Sequence, residues 1–169
     1  MASELILLLL LAAPLIAAAG WDLASYTIPN FIQVALFLGF IAFAVVSGMS
    51  AVGFGAHLLA GFIGLVIGFT LFALGYVGGG DAKLFACVAL WFGLTDFLNY
   101  TLVASVFGGV LTLGLLSFRK LPLPAALTGQ AWLMRLHEER AGIPYGVALA
   151  AGAFALIQNT EVFRAAIAA

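Results

Sequence analysis

The chain alternates long apolar runs with brief polar interruptions. Six apolar segments can be drawn, at about 5–20, 28–46, 57–76, 82–94, 97–117 and 143–158. Most approach the roughly 20 residues that a bilayer-spanning helix needs. The fourth is short, and would need tilt, local thinning of the bilayer or cover from its neighbours. The segments are apolar on every face, so the period-two alternation of a membrane β-barrel is absent. The pattern predicts an all-α polytopic membrane protein with about six transmembrane helices. No repeat or second domain is visible, and residues 1–169 read as one transmembrane domain. Most of the charge falls in 118–142, FRKLPLPAALTGQAWLMRLHEERAG, which predicts a short amphipathic helix on the membrane surface. There Trp132, Leu133 and Leu136 are expected to face lipid, with Arg135, Glu138, Glu139 and Arg140 in water.

Composition agrees. Of the 169 residues, 65% are hydrophobic and 8% charged, and the mean hydropathy is +1.23. A soluble domain is nearer one quarter charged, so this chain cannot cover a water-facing surface. The net charge of -1 carries no signal for nucleic acid. One cysteine, Cys87, excludes an intrachain disulfide or a cysteine-cluster metal site, and reads as a small apolar residue within a helix.

Basic residues set the orientation. Arg119, Lys120, Arg135 and Arg140 share one loop, which belongs in the cytoplasm by the positive-inside rule. Alternating backwards places the 78–83 link, with Lys83, and the 21–27 link on the same side. The N-terminus, the 47–56 and 95–96 links and the C-terminus fall outside, with Glu4, Asp96, Glu161, His57 and Arg164. Five basic residues then lie inside and one outside. The first segment also resembles a signal peptide, with Ala17-Ala18-Ala19 as a small-residue site. It lacks a basic n-region, carrying Glu4 instead, and its removal would break the alternation. It is read as a helix.

Of seven acids, Glu138 and Glu139 belong to the charged loop, while Glu4, Asp96 and Glu161 mark outer ends. Asp22 and Asp81 remain, both at cytoplasmic ends of apolar segments. Ionisable residues at membrane depth are costly and usually face the bundle interior. Two carboxylates brought close in a shielded site share a proton. One can then take a proton from water while the other donates to a scissile carbonyl, which is aspartic-protease chemistry. Gly78, Gly79 and Gly80 precede Asp81. Lacking side chains, they would let a substrate backbone approach and would allow φ > 0 geometry. The alternative is a tight link, with Asp81 capping the next helix.

Lys83 reads either as a snorkelling anchor or as a charge that tunes the carboxylates. His57 and His137 are far apart and on opposite sides, a poor metal pair. Trp21, Tyr26 and Trp132 suit an interfacial aromatic belt.

These residues resemble the type IV prepilin peptidases, whose G-x-G-D signature is shared with archaeal preflagellin peptidases and, more distantly, presenilin-type proteases. Here it stands as Gly78-Gly79-Gly80-Asp81, continued as Asp81-Ala82-Lys83-Leu84. Asp22 precedes Ile28-Pro29-Asn30, similar to the turn after the family's first aspartate. Ile143-Pro144-Tyr145-Gly146-Val147-Ala148 resembles the segment that opens the family's last helix.

The resemblance implies an intramembrane-type aspartic endopeptidase that removes the basic leader of prepilins at the cytoplasmic face of the cell membrane. It carries Asp22 and Asp81 over as the catalytic pair, Gly78 and Gly80 as motif glycines, and Lys83 as a motif residue. It implies no metal and no cofactor. Its implied partners are a prepilin and the lipid bilayer. The chain is similar to the short form that serves tight-adherence (Flp) pili. It lacks the N-terminal region and paired cysteines of the larger relatives that also N-methylate the product. Two other readings fit the carboxylates: a small ion- or proton-coupled transporter using Asp22 and Asp81, and a non-catalytic scaffold.

Overall fold

The computed structural model describes residues 8–124, 129–139 and 141–168. Glu4, placed outside by the sequence, and Arg140, placed in the cytoplasmic loop, lie outside the described residues. Helix α1 spans Ala13–Ser25, entered through a π-helical turn at Leu8–Ala12. Helix α2 is Asn30–Val46, α3 is Ala51–Ala73, and α4 is Gly79–Phe118. Helix α5 is Ala131–His137, and α6 is Tyr145–Leu156, continued by a 3-10 turn at Ile157–Asn159. Helix α7 is Glu161–Ala168. No strand occurs among the described residues, as the apolar pattern requires.

Helix α4 is a hairpin of two arms. Gly93 takes φ 65 and ψ 177, a backbone that glycine adopts without penalty. Phe85 stacks on Tyr100 with centroids 5.7 Å apart, and Phe92 meets Tyr100 at 4.9 Å. In a straight helix Phe85 and Tyr100 would be about 22 Å apart, so the arms run antiparallel. The reversal therefore lies at Gly93 and not at the 95–96 link that the sequence suggests. Asp96 is helical, and its Oδ2 accepts the Glu161 N–H at 3.1 Å where α7 begins.

Other boundaries also move. Helix α1 continues past Gly20 to Ser25, so Asp22 is helical and not in a link. Helix α3 starts early because Ser50 caps it, its Oγ accepting the Gly53 N–H at 3.1 Å. That moves His57 from the outer end of its segment into the bundle, where it is 6% exposed. Its Nδ1–H donates to the Leu90 carbonyl at 2.7 Å, just before the Gly93 break. The ring also stacks on Phe40 at 5.2 Å. Replacing His57 by Phe keeps the stacking but orphans a buried acceptor. The expected cost is about 1–3 kcal/mol, read as a lower unfolding temperature in detergent.

Helix α3 packs on the first arm of α4 through glycine. A Cβ on Gly64 would lie 2.8 Å from the Ala89 Cβ, and one on Gly68 would lie 2.8 Å from the Ala82 carbonyl. Such small-residue seams let helices approach closely where no hydrophobic drive exists between them. The seam sets Asp81 against the foot of α3. Trp91 adds a tie to α2, its Nε1–H donating to the Leu36 carbonyl at 2.9 Å.

Large apolar side chains cover the outside, among them Val45, Phe62, Phe69, Leu102 and Leu113. A surface of this kind is stable against lipid and not against water. By length and composition, Ala51–Ala73 and Gly79–Phe118 suffice to cross a membrane, and Leu9–Ser25, Asn30–Val46 and Tyr145–Asn159 are shorter apolar helices.

The charged loop departs from expectation. Its surface helix shrinks to α5, and Leu136 is buried, not lipid-facing. The cause is Arg119, which is itself buried and not solvated. Its Nε–H donates to the Leu136 carbonyl and its Nη2–H to the Gly142 carbonyl, both at 2.8 Å. Trp132 stays exposed.

Candidate active site

Helix α1 delivers Asp22 in its last turn. The chain then breaks at Tyr26, which takes φ 55 and donates its N–H to the Asp22 carbonyl at 2.8 Å. Asp22 is only 3% exposed. Asp81 stands in the first turn of α4 and is 8% exposed. Its Oδ2 accepts the Gly78 N–H at 3.1 Å. Asp81 thus caps its own helix, where the positive end of the dipole favours a carboxylate.

The two acids meet at the start of α6. The Gly146 N–H donates to Asp22 Oδ2 at 2.7 Å. Asp81 stands near enough for its charge to act on Asp22. Cap and paired carboxylate are therefore compatible roles for Asp81. Among the described residues its Oδ1 has no hydrogen-bond partner.

The glycines before Asp81 work differently from the sequence expectation. Gly78 has φ -73, and none of Gly78, Gly79 or Gly80 has positive φ. They make room for the protein's own groups. A Cβ on Gly80 would lie 3.2 Å from the Ile28 Cβ, one on Gly79 would lie 3.4 Å from the Phe72 ring, and one on Gly78 would lie 2.9 Å from Asp81 Oδ2. Ile28, in the turn before α2, is the wedge between the two acid-bearing ends. It touches both the Gly80 and the Gly146 positions.

Lys83 does not join the acids. It is exposed, and its Nζ donates to Asn30 Oδ1 at 2.9 Å, tying the first arm of α4 to the start of α2. His57 and His137 lie apart. Among the described residues no group of three or more His, Cys, Asp or Glu side chains could hold a metal ion. Cys87 is half-buried, with its Sγ 3.6 Å from the Gln33 carbonyl.

A cavity of about 540 Å³ opens beside Asp81, between the foot of α3, both arms of α4 and the start of α6. Leu71, Thr101, Gly108, Tyr145 and Leu149 are among its walls.

Sequence reasoning does not single out Gly146. Its signal is the Pro144-Tyr145-Gly146 string at a helix start, where a bare backbone can approach another group. A Cβ there would lie 2.8 Å from Asp22 Oδ2. By sequence Tyr26 reads as a belt residue and Arg119 as a loop charge. Instead the Tyr26 hydroxyl is buried, and Arg119 is buried with its donors on the Leu136 and Gly142 carbonyls.

Residues 9–113 match the sequence model of the type IV leader peptidase family. Neither a curated protein nor a solved structure matches the chain significantly. The family match covers more than half of the 169 residues and includes both aspartates, and the chain belongs to the type IV leader peptidase family.

Proposed function

We propose that this chain is a two-aspartate endopeptidase that removes the leader of a Flp-type prepilin at the cytoplasmic face of the cell membrane. The observation that carries the reading is the pairing of two buried carboxylates, Asp22 held by the Gly146 N–H and Asp81 near enough for its charge to act on Asp22, with Asp81 lining an apolar cavity. A peptidase of this family implies prepilin substrates, in which an apolar helix that lies in lipid beside the site follows the basic leader. The carboxylates supply the chemistry without further groups. One takes a proton from water, and the water oxygen forms a bond to the scissile carbonyl carbon. The other gives its proton to the carbonyl oxygen. The tetrahedral gem-diol then collapses: the nitrogen takes the proton that the first carboxylate had accepted from water, the C–N bond breaks, and one hydroxyl returns its proton to the second carboxylate, leaving an amine, a product carboxylic acid and the starting pair. Gly146 holds the Asp22 carboxylate so that the pair keeps its geometry.

The cytoplasmic assignment rests on charge. Lys83 reaches Asn30, and the Arg135 Nη1–H donates to the Ala24 carbonyl at 3.1 Å. Both cations stand at the end of the bundle that holds the aspartates, the end that the positive-inside rule places in the cytoplasm. Six apolar segments, with the fourth and fifth as the two arms of α4, make this a multi-pass reading.

Co-expression with a Flp-type prepilin tests the substrate. The prepilin is expected to shorten by its leader on a gel, with the new N-terminus just after the leader's last glycine. Unchanged prepilin, beside a membrane-inserted peptidase, would reject the Flp assignment.

A further inference from the structure

The cavity beside Asp81 has a specific bed. Its α4 wall carries Thr101, Ser105, Gly109 and Thr112 on one side of the second arm. The spacing of three or four residues places them in one row. Their hydroxyls make no demand on a ligand. Thr101 donates to the Phe97 carbonyl at 2.8 Å, Ser105 to Thr101 at 2.7 Å, and Thr112 to Gly108 at 2.7 Å. The row is therefore small, flat and satisfied, like the faces on which helices approach closely in lipid. Ser105 to Thr112 covers about 10 Å of the arm.

Opposite stand the apolar Ile67 and Leu71 of α3. The one charged group in the lining is Asp81, which is 8% exposed with its Oδ1 unpartnered among the described residues. Among the described residues the lining carries no cation that an anionic lipid headgroup would seek. It tolerates a polypeptide whose backbone crosses to the acids. By contrast, the separate cavity of about 420 Å³ between α2 and α3 has Lys83 in its lining, the charge that a lipid phosphate would seek.

We propose that the cavity beside Asp81 seats the apolar helix of the substrate just beyond the scissile bond, with the Ser105–Gly109 face of α4 as the surface on which it lies. This rests on the peptidase reading and adds to it the element that recognises the substrate's membrane part. It is a case of helix-in-groove recognition, and it gives the binding of a remote, non-reacting segment a place to act on the rate.

Gly109 offers a clean probe, because a Cβ added there meets nothing within 4 Å. Gly109→Leu and Gly109→Phe therefore fill the cavity without a clash inside the protein, and put a better helix former than glycine at that position. Purified protein in liposomes is assayed on a full prepilin and on a leader peptide cut off before the apolar helix. Both variants are expected to process the prepilin at least about tenfold more slowly, while the short peptide is cut at the wild-type rate. Equal cleavage of prepilin by wild type and both variants would overturn the proposal. So would an equal loss on both substrates, which would place the effect at the aspartates. A phospholipid that co-purifies with wild type and is lost from Gly109→Phe, with prepilin cleavage unchanged, would give the cavity to lipid instead. Wild type that cuts neither substrate overturns the peptidase reading and this proposal with it.

Discussion

Replacing Asp81 by Asn is expected to reduce leader cleavage roughly a thousandfold, and Asp22→Asn to do the same. Each change removes the group that takes or gives a proton while keeping the side chain's shape. In Asp81→Asn the new amide oxygen can still accept from the Gly78 N–H. In Asp22→Asn the amide oxygen can likewise accept from Gly146, so the contacts at 3.1 and 2.7 Å survive. The proteins should therefore insert and unfold close to the wild-type temperature. Gel analysis of prepilin, beside a detergent melting curve, separates lost chemistry from lost fold. Strong cleavage by either variant would return both acids to capping and anchoring roles.

The second large effect is expected at Gly146. In Gly146→Val the first added carbon alone would sit 2.8 Å from both Asp22 Oδ2 and the Ile28 Cδ1. Asp22 is 3% exposed, so its carboxylate cannot move out into solvent without disturbing its neighbours. The carboxylate must turn away, and the Gly146 amide no longer holds it beside Asp81. A misplacement of about 1 Å in a catalytic constellation costs on the order of a hundredfold. Because Ile28 also presses on Gly80, the wedge between the acid-bearing ends shifts too. Gly146→Ala should fall between wild type and Val, since only one carbon must be accommodated. The pair of rates, set against melting temperature, checks whether the loss follows the geometry of Asp22 or a general weakening of the fold.

Much of the architecture is legible because lipid imposes a simple rule on sequence. A segment apolar on all faces must be helical, and six such runs are plain. What cannot be read is where long-range contacts decide. Asp96 looks like the polar tip of a turn, but the chain reverses three residues earlier at Gly93, and Asp96 instead receives the N–H of Glu161. His57 looks like an outer charge, but it serves a carbonyl 33 positions away. Arg119 counts towards the positive-inside rule, yet its donors close the loop from within.

The site shows the same division. The spacing of motifs singles out Asp22 and Asp81, since each is a lone acid at the edge of an apolar run. The role of the glycines is not legible in the same way, because a close approach is a property of two segments. Gly80 is bare for Ile28, and Gly146 is bare for Asp22. No count along the chain reports a neighbour 124 positions away.

The central claim is that Asp22 and Asp81 act as one unit. Its most direct test is the single-turnover cleavage rate of a purified prepilin in liposomes by wild type, Asp22→Asn, Asp81→Asn and the double variant. If the two carboxylates share one task, the double variant is no slower than either single one, because removing one member already disables the pair. Losses that multiply, or wild-type rates in either single variant, would show that the acids do not form a catalytic pair.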